Sequence, residues 1–410
     1  MKQVLIFIIS LSLGTMSCSR QKSSTSTTDP IPTPSAAPVE TIAPNTNYKP
    51  AFSGQTRVNG VITTAKYKAE VITSSLANPW GITSLPDGRL LVTEKVGRLR
   101  IVTTGGNVSE PITGIPQVNS SGQGGLLGLC LDPNFATNRM VYLSFSEAST
   151  GGNQTAIAKG SISADERSLE GVTVIYRAGP AYAGNNHYGG RVVFDQLGNL
   201  LVSSGERADN GIRQQAQSIN SGLGKIIRIT NNGQPVADNP FAGQSDARPE
   251  LYSFGHRNPQ GLAIHPVTGE IWQSEHGPRG GDELNRVQAG LNYGWPIITY
   301  GIEYGGQPVG SGIQQREGME QPVYYWDPVV SPSGMSFYRG NRIPEWQNNL
   351  FIGCLSGMHI VRLVIENNRV IGEERLLVSE RQRFRDITQG SDGALYAITD
   401  GGRLYRIDRE

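Results

Sequence analysis

The chain has 410 residues, 36 Lys+Arg against 35 Asp+Glu, a formal net charge of +1 and only 17% charged residues, a balance that argues against an electrostatic nucleic-acid binder. Glycine supplies 51 residues, well above an average usage of about 7%, so turns are frequent and long helices few. Three cysteines, without a CxxC pair or a Cys/His cluster of zinc-like spacing, exclude a disulfide framework and argue against a zinc site.

Lys2 precedes an apolar run, Val4 to Leu13, that is too short to cross a hydrocarbon core of roughly 30 Å as a helix and reads as an export signal. The run ends at Thr15-Met16-Ser17-Cys18, a small residue before a cysteine with a polar stretch after it. This resembles the lipobox of bacterial lipoproteins, with Thr15 where Leu is usual. Residues 1–18 are therefore expected to direct export, with Cys18 as a lipid-anchor position, placing the protein in the periplasm or on the cell envelope. From Ser19 to Pro50, 17 of 32 residues are Ser, Thr or Pro. Such a composition buries too little apolar surface to offset chain entropy, so residues 19–55 are expected to be a disordered tether. The folded domain is expected over 56–410, a length beyond one ordinary core unless the architecture repeats.

One phrase does repeat: a small residue, an apolar run, a turn and a second apolar run. The six copies start at Trp80-Gly81, Gly128, Gly190-Arg191, Gly261, Gly334 and Asp386, and lining up Gly81, Gly128, Gly190, Gly261, Gly334 and Asp386 gives intervals of 47, 62, 71, 73 and 52 residues. Short runs that alternate and end in turn chemistry are strands. The expected fold is all-β, a six-bladed β-propeller with four-stranded antiparallel blades, since radial repetition leaves only short protected edges. The uneven intervals leave a pair of β-sandwiches as the alternative. In a propeller, function gathers where loops from several blades meet at one mouth of the channel.

The unusual polar clusters sit at those loops. Asn186-His187-Tyr188-Gly189-Gly190-Arg191 opens the third repeat and Ser204-Gly205-Glu206 follows its next strand. A hairpin would pair His187 with Glu206, an imidazole oriented by a carboxylate as a general base requires; a histidine capping a turn is the bland alternative. Arg257-Asn258-Pro259-Gln260-Gly261 enters the fourth repeat, where a guanidinium could stabilise oxyanion charge or be merely structural. Ser274 to Asn285 packs carboxylates, glycines and carbonyls into a loop suited to a hard cation, above all calcium. In Arg383-Phe384-Arg385-Asp386 the two-residue period points both arginines to one side, toward a polyanionic ligand, unless they are a solvated charge run. Gln123-Gly124-Gly125 offers an amide beside close-approach backbone. With no GxSxG elbow, P-loop or strand-linked GxGxxG, a base, arginines and a cation site favour redox or lactone chemistry over acyl-enzyme hydrolysis.

Taken in series, Gly122-Gln123-Gly124-Gly125-Leu126, His187 to Arg191, Arg257 to Gly261, Glu275 to Glu283, Asn292-Tyr293-Gly294-Trp295-Pro296 and Arg383 to Asp386 resemble the soluble PQQ-dependent aldose sugar dehydrogenases and the related soluble glucose dehydrogenases, over roughly residues 65 to 408. The resemblance implies pyrroloquinoline quinone in the channel mouth with calcium, an aldose oxidised at C1 to a lactone, and an external electron acceptor. It implies His187 as the base, oriented by Glu206, and Arg257 polarising the quinone. Gln123, Asn258, Arg383, Arg385 and Tyr304 would contact the cofactor. Gly277 and Pro278 would hold calcium by their carbonyls, and Glu283 and Tyr293 would mark a second, structural calcium. Two departures stand out. Ser356 replaces a cofactor-binding lysine, which should weaken cofactor binding, and Asn186 replaces an acidic residue of the glucose enzymes. The competing readings are a calcium-dependent propeller lactonase and a non-catalytic sugar-binding propeller.

Overall fold

Six sheets, antiparallel apart from one strand pair in the fifth, are arranged radially, each beginning with one of the six repeats. The computed structural model describes Met1 and residues 34–410, so the export-signal reading and the first part of the tether lie outside the described residues. Blade 1 comprises Pro79–Ser84, Leu90–Glu94 and Arg98–Val102, and blade 2 comprises Leu126–Leu131, Met140–Ser149, Gly152–Ile162 and Leu169–Tyr182. Blade 3 is Val192–Phe194, Leu200–Ser204, Lys225–Ile229 and Leu251–Phe254, and blade 4 is Pro259–Ile264, Ile271–Glu275, Asp282–Val287 and Tyr324–Trp326. Blade 5 is Pro332–Phe337, Leu350–Cys354, Ile360–Glu366 and Arg369–Leu376. Blade 6 is Phe384–Gln389, Leu395–Thr399 and Leu404–Arg409, and its outermost strand is the N-terminal Tyr67–Thr73, paired antiparallel from Leu404↔Thr73 to Arg409↔Tyr67. That borrowed strand ties the two ends of the domain together. The first strand of each blade touches the first strands of the blades on both sides, closing a ring of six. The fold is a six-bladed β-propeller.

Two blades depart from four strands. In blade 1 the outer position is reduced to the isolated bridges Leu99↔Ile112 and Val102↔Val108. Blade 5 gains Asn59–Val61, which runs parallel to Arg369–Leu376, and beyond it Pro34–Pro38. Alternating burial is also confined to outer strands such as Tyr67–Thr73, whereas Leu90–Glu94, Leu200–Ser204 and Leu395–Thr399 are buried throughout. Blades stack face to face, so their inner strands are covered on both sides and read as continuous apolar runs.

The stretch expected to be tether up to residue 55 is shorter than that. Asp327 accepts hydrogen bonds from the Asn45 amide N–H (2.9 Å) and side chain (2.7 Å) and from the Thr46 N–H and hydroxyl, both at 3.0 Å. Glu40 pairs with Arg375 at 2.8 Å, and Gln55 is fully buried, donating to the Pro322 carbonyl at 2.9 Å. The segment has little apolar surface to bury. Its ordered part is held by polar groups instead.

A buried ion pair joins the inner strands and forms the plug between them. Five repeats place glycine at the aligned position and the sixth places Asp386, whose carboxylate meets the Arg191 guanidinium at 2.6 Å. Asp386 also accepts from the Ile82 N–H of blade 1 at 3.0 Å, and Arg191 donates to the Gln260 carbonyl of blade 4 at 3.0 Å. A Cβ at Gly334 would fall 1.7 Å from Asp386 and 2.7 Å from Arg191, so the small residues elsewhere in the ring make room for one buried ion pair.

Candidate active site

Starts of the inner strands and the loops before them surround a cavity of about 280 Å3 on one side of the plug. Trp80, Leu127 and Tyr188 form a buried apolar cluster in its wall. The Arg191 guanidinium lies 4.4 Å from the centre of the Trp80 ring and the Arg207 guanidinium 4.0 Å from that of Tyr188. Gln123, Gln260 and His276 add polar lining, and Lys95, Arg383 and Arg385 add positive charge. A larger hollow of about 770 Å3 lies at the opposite ends of the same strands, among Ser84, Phe194, Ile264, Phe337 and Gln389. None of the polar clusters found in the sequence reaches it, so size is a poor guide to the chemistry here.

His187 stands between Gln123 and Gly189, both cavity-lining, and its Nδ1 lies 3.1 Å from the Glu206 carboxylate. The hairpin pairing expected from sequence is present. The His187 N–H donates to the Gln123 side-chain oxygen at 2.9 Å, and the residue has φ 48°, a left-handed conformation costly for a side chain. Gly205 permits the approach of the two segments, because a Cβ there would meet the His187 carbonyl at 2.2 Å. Burial, with Arg257 adding to it, lowers the His187 pKa from 6.5 against the opposing pull of Glu206. Burial raises Glu206, yet His187, Arg257 and the Ala208 N–H outweigh it and hold the carboxyl below its usual range. The outcome is a neutral imidazole with its Nδ1 proton fixed by a carboxylate, leaving Nε2 as the acceptor.

A second pair of the same kind shows that the dyad alone does not make a site. His256 Nδ1 lies 3.1 Å from Glu275 and its Nε2 lies 2.8 Å from the Ser253 hydroxyl. His256 is fully buried and stacked on Tyr293, ring centres 4.7 Å apart, with both nitrogens engaged inside the protein. It is a structural element of blade 4.

Arg257 donates from one nitrogen to the His276 carbonyl (3.0 Å) and the Gly277 carbonyl (2.7 Å), and its other terminal nitrogen reaches the Tyr304 hydroxyl at 3.5 Å. Tyr304 is otherwise exposed, on the rim. The Asn258 side-chain oxygen accepts from the Gly189 N–H at 3.1 Å, and among the described residues its buried amide nitrogen, Arg257 Nε and His276 Nε2 have no hydrogen-bond partner. Burial, reinforced by His187, Arg257 and Arg385, holds the His276 pKa far below 6.5, so it is a neutral imidazole in the wall. Arg383 and Arg385 do share one side: both donate to Asp400 at 2.8 Å, and Arg385 also reaches Gln260 at 3.3 Å.

The calcium-type tract is a turn between strands, since Glu275 ends one strand of blade 4 and Asp282 and Glu283 begin the next. Glu275 and Glu283 stand directly opposite each other; burial first, then Glu275, pushes Glu283 well above the usual carboxylate range. Asp282 accepts from three backbone N–H groups, of Gly277 (2.7 Å), Val330 (2.8 Å) and Ser331 (2.6 Å), and so fixes the turn that carries Gly277 and Pro278. The Tyr293 hydroxyl donates to the Arg286 carbonyl at 2.7 Å and accepts from the Gln288 N–H at 2.9 Å. Among the described residues no group of three or more His, Cys, Asp or Glu side chains is placed to hold a metal, so a cation here depends on carbonyls and on the ligand's own oxygens.

The set fits a planar polyanion. It offers an aromatic wall, an excess of guanidinium and ammonium groups over the single Asp400, and orphaned buried donors. A calcium ion on the Gly277 carbonyl would sit beside the Arg257 guanidinium, a placement that an anionic ligand bridging both makes favourable.

A family model described as glucose / sorbosone dehydrogenase matches residues 76–406. The chain belongs to that family. It is 40% identical over 348 residues to the aldose sugar dehydrogenase YliI of Escherichia coli, covering 84% of this chain and 93% of that protein. The apo crystal structure of the soluble aldose sugar dehydrogenase from Escherichia coli superimposes with a TM-score of 0.80 at 39% identity, over 84% of this chain and all of that one. The PQQ-bound aldose sugar dehydrogenase of Streptomyces coelicolor does so with a TM-score of 0.69 at 28% identity, over 85% of this chain and all of that one. The protein is a sugar dehydrogenase of this family, an oxidoreductase.

Several members of the site escaped sequence reading. Trp80, Leu127 and Tyr188 are indistinguishable from core residues by pattern, and Asp400 sits in a turn that reads as solvent-facing. Lys95 ends the run Leu90–Glu94 in Glu94-Lys95-Val96-Gly97 and looks like a solvated turn lysine, although it lines the cavity.

Proposed function

We propose that this sugar dehydrogenase oxidises aldoses at C1 to lactones, with pyrroloquinoline quinone and calcium in the cavity, and passes the electrons to an external acceptor. When bound, the quinone accepts the hydride from C1, and calcium increases its electrophilicity. His187 Nε2 takes the proton of the anomeric hydroxyl as C1 is oxidised, and Glu206 stabilises the imidazolium that results. Arg257 places positive charge where a ligand oxygen gains electron density. Gln123, Asn258, Arg383 and Arg385 hold the ligand's carbonyl and carboxylate groups, guanidiniums being suited to paired carboxylate contacts. Tyr304 covers the rim, and the Gly277 and Pro278 carbonyls share in holding calcium.

The observation that carries this reading is the neutral, carboxylate-oriented His187 beside a cavity with clustered cations and an aromatic wall. Reconstitution with PQQ and calcium should produce a quinone absorbance band and sugar-dependent dye reduction. Lactone hydrolysis without dye reduction would replace the reading by the lactonase.

We also assign the protein to the cell envelope, anchored through lipid on Cys18. The support is the Lys2, Val4–Leu13 and Cys18 pattern together with the polar stretch after it; among the described residues no helix is long and apolar enough to cross a membrane. Cys18→Ser should move the protein from the membrane to the soluble fraction, and an unchanged partition would remove the anchor.

A further inference from the structure

The family resemblance places a cofactor-binding lysine at a position where this chain has Ser356. The structure shows what stands there: Ser356 is hydrogen-bonded to Ser331 at 2.7 Å, and Ser331 and Leu355 line the cavity. That side of the cavity, at blade 5, therefore presents hydroxyl and apolar groups. Lys95 comes into the same cavity from the end of the second strand of blade 1. Its backbone is pinned on both sides, the N–H donating to the Asn78 carbonyl and the carbonyl accepting from Leu126, each at 3.0 Å.

The side chain is held as well. Lys95 Nζ donates to the Gly122 carbonyl, next to Gln123. An ammonium has three N–H donors, so this bond leaves two. A Cβ on Gly125 would meet the Lys95 carbonyl at 2.1 Å and its Cγ at 2.6 Å, so the Gly124-Gly125 backbone closes over the lysine stem and holds it against the loop. Burial lowers the Lys95 pKa, and Arg385 lowers it further while Asp400 opposes. Lys95, Arg383 and Arg385 bring three positive charges to one cavity against the one carboxylate, Asp400, that pairs with both arginines. Cations brought together in this way repel one another until an anion is added.

We infer that Lys95 is a ligand-binding residue, supplying from blade 1 the ammonium contact to a cofactor carboxylate that the residue at 356 on blade 5 no longer provides. The inference rests on the proposed quinone function and names a contact that reading did not include. Lys95 would then hold on blade 1 a cation that the Ser356 position on blade 5 does not supply.

The test is equilibrium titration with PQQ in the presence of calcium and without sugar, followed by the quinone absorbance band and by tryptophan fluorescence. Lys95→Met should raise the half-saturating PQQ concentration by roughly 10- to 100-fold, the usual effect of losing one charge-assisted bond. Lys95→Arg should remain within a few-fold of the parent. In Lys95→Met/Ser356→Lys, restoring a cation on blade 5 should recover most of the loss. Parent and Lys95→Met titrating alike would overturn the inference while leaving the quinone reading intact. Failure of the parent protein to bind PQQ would overturn both. Thermal melting of the ligand-free variants separates lost binding from lost folding: Lys95→Met weakened for PQQ but melting with the parent supports the assignment. If Lys95→Met melts early, Lys95→Gln takes its place under the same criteria.

Discussion

His187→Ala should lower kcat by roughly 10²- to 10⁴-fold, the usual contribution of a positioned general base, while the protein still takes up PQQ and calcium. The imidazole, next to the cavity-lining Tyr188, is both neutral and oriented by a carboxylate, and its Nε2 has no partner among the described residues. The pH profile carries the more specific expectation. Because burial and Arg257 depress the His187 pKa below 6.5, the imidazole is more available as a base at pH 6.5 than a free one, and that availability is lost as pH falls through the depressed value. The acid limb of kcat should therefore lie below 6.5. Glu206 is the group that pulls the pKa back up, so Glu206→Gln should move that limb to still lower pH as it reduces the maximal rate. A limb that moved upward, or a His187→Ala enzyme of undiminished kcat, would remove this histidine from proton transfer.

What the sequence disclosed follows from what each kind of signal can carry. The repeat was legible because five of the six inner strands carry glycine at the same place, with Asp386 in the sixth, each followed by an apolar run and a turn, and those six positions head the six blades. The His187–Glu206 pair was legible because a two-residue strand period and a short hairpin fix its geometry locally. Lys95 was not, since its meaning comes from Arg385, which lies in the last blade and meets it only once the ring closes. Gln55 and Asp327 show the same limit at the N-terminal segment, where polar contacts made far along the chain order a stretch whose composition alone predicts a tether. Tyr293 shows a related limit: a motif match names the residue, but its hydroxyl contacts, with the main-chain groups of Arg286 and Gln288, appear only in the fold.

The sixth repeat's departure from glycine has the largest consequence for stability. Asp386 and Arg191 are both almost fully buried, and burial pushes the carboxyl pKa up and the guanidinium pKa down even though they are paired. Desolvation thus takes back much of what their attraction supplies, and the intact pair is worth little net. Breaking it is a different matter, because one charge then stays in the channel without its partner. Asp386→Asn should lower unfolding stability by about 3 to 5 kcal/mol, measured by denaturant titration of the ligand-free protein. Arg191→Met/Asp386→Asn, which removes both charges, should be distinctly less damaging than Asp386→Asn plus Arg191→Met summed, the signature of direct coupling. The single substitution should also reach the active site, since Arg191 supports the Trp80 ring from 4.4 Å and an unpaired guanidinium is free to leave it. Weakened PQQ uptake in Asp386→Asn at temperatures where the protein remains folded would show that the plug also supports the cofactor wall. A loss of under 1 kcal/mol would mean that water reaches the channel centre and that Arg191 finds its partner there.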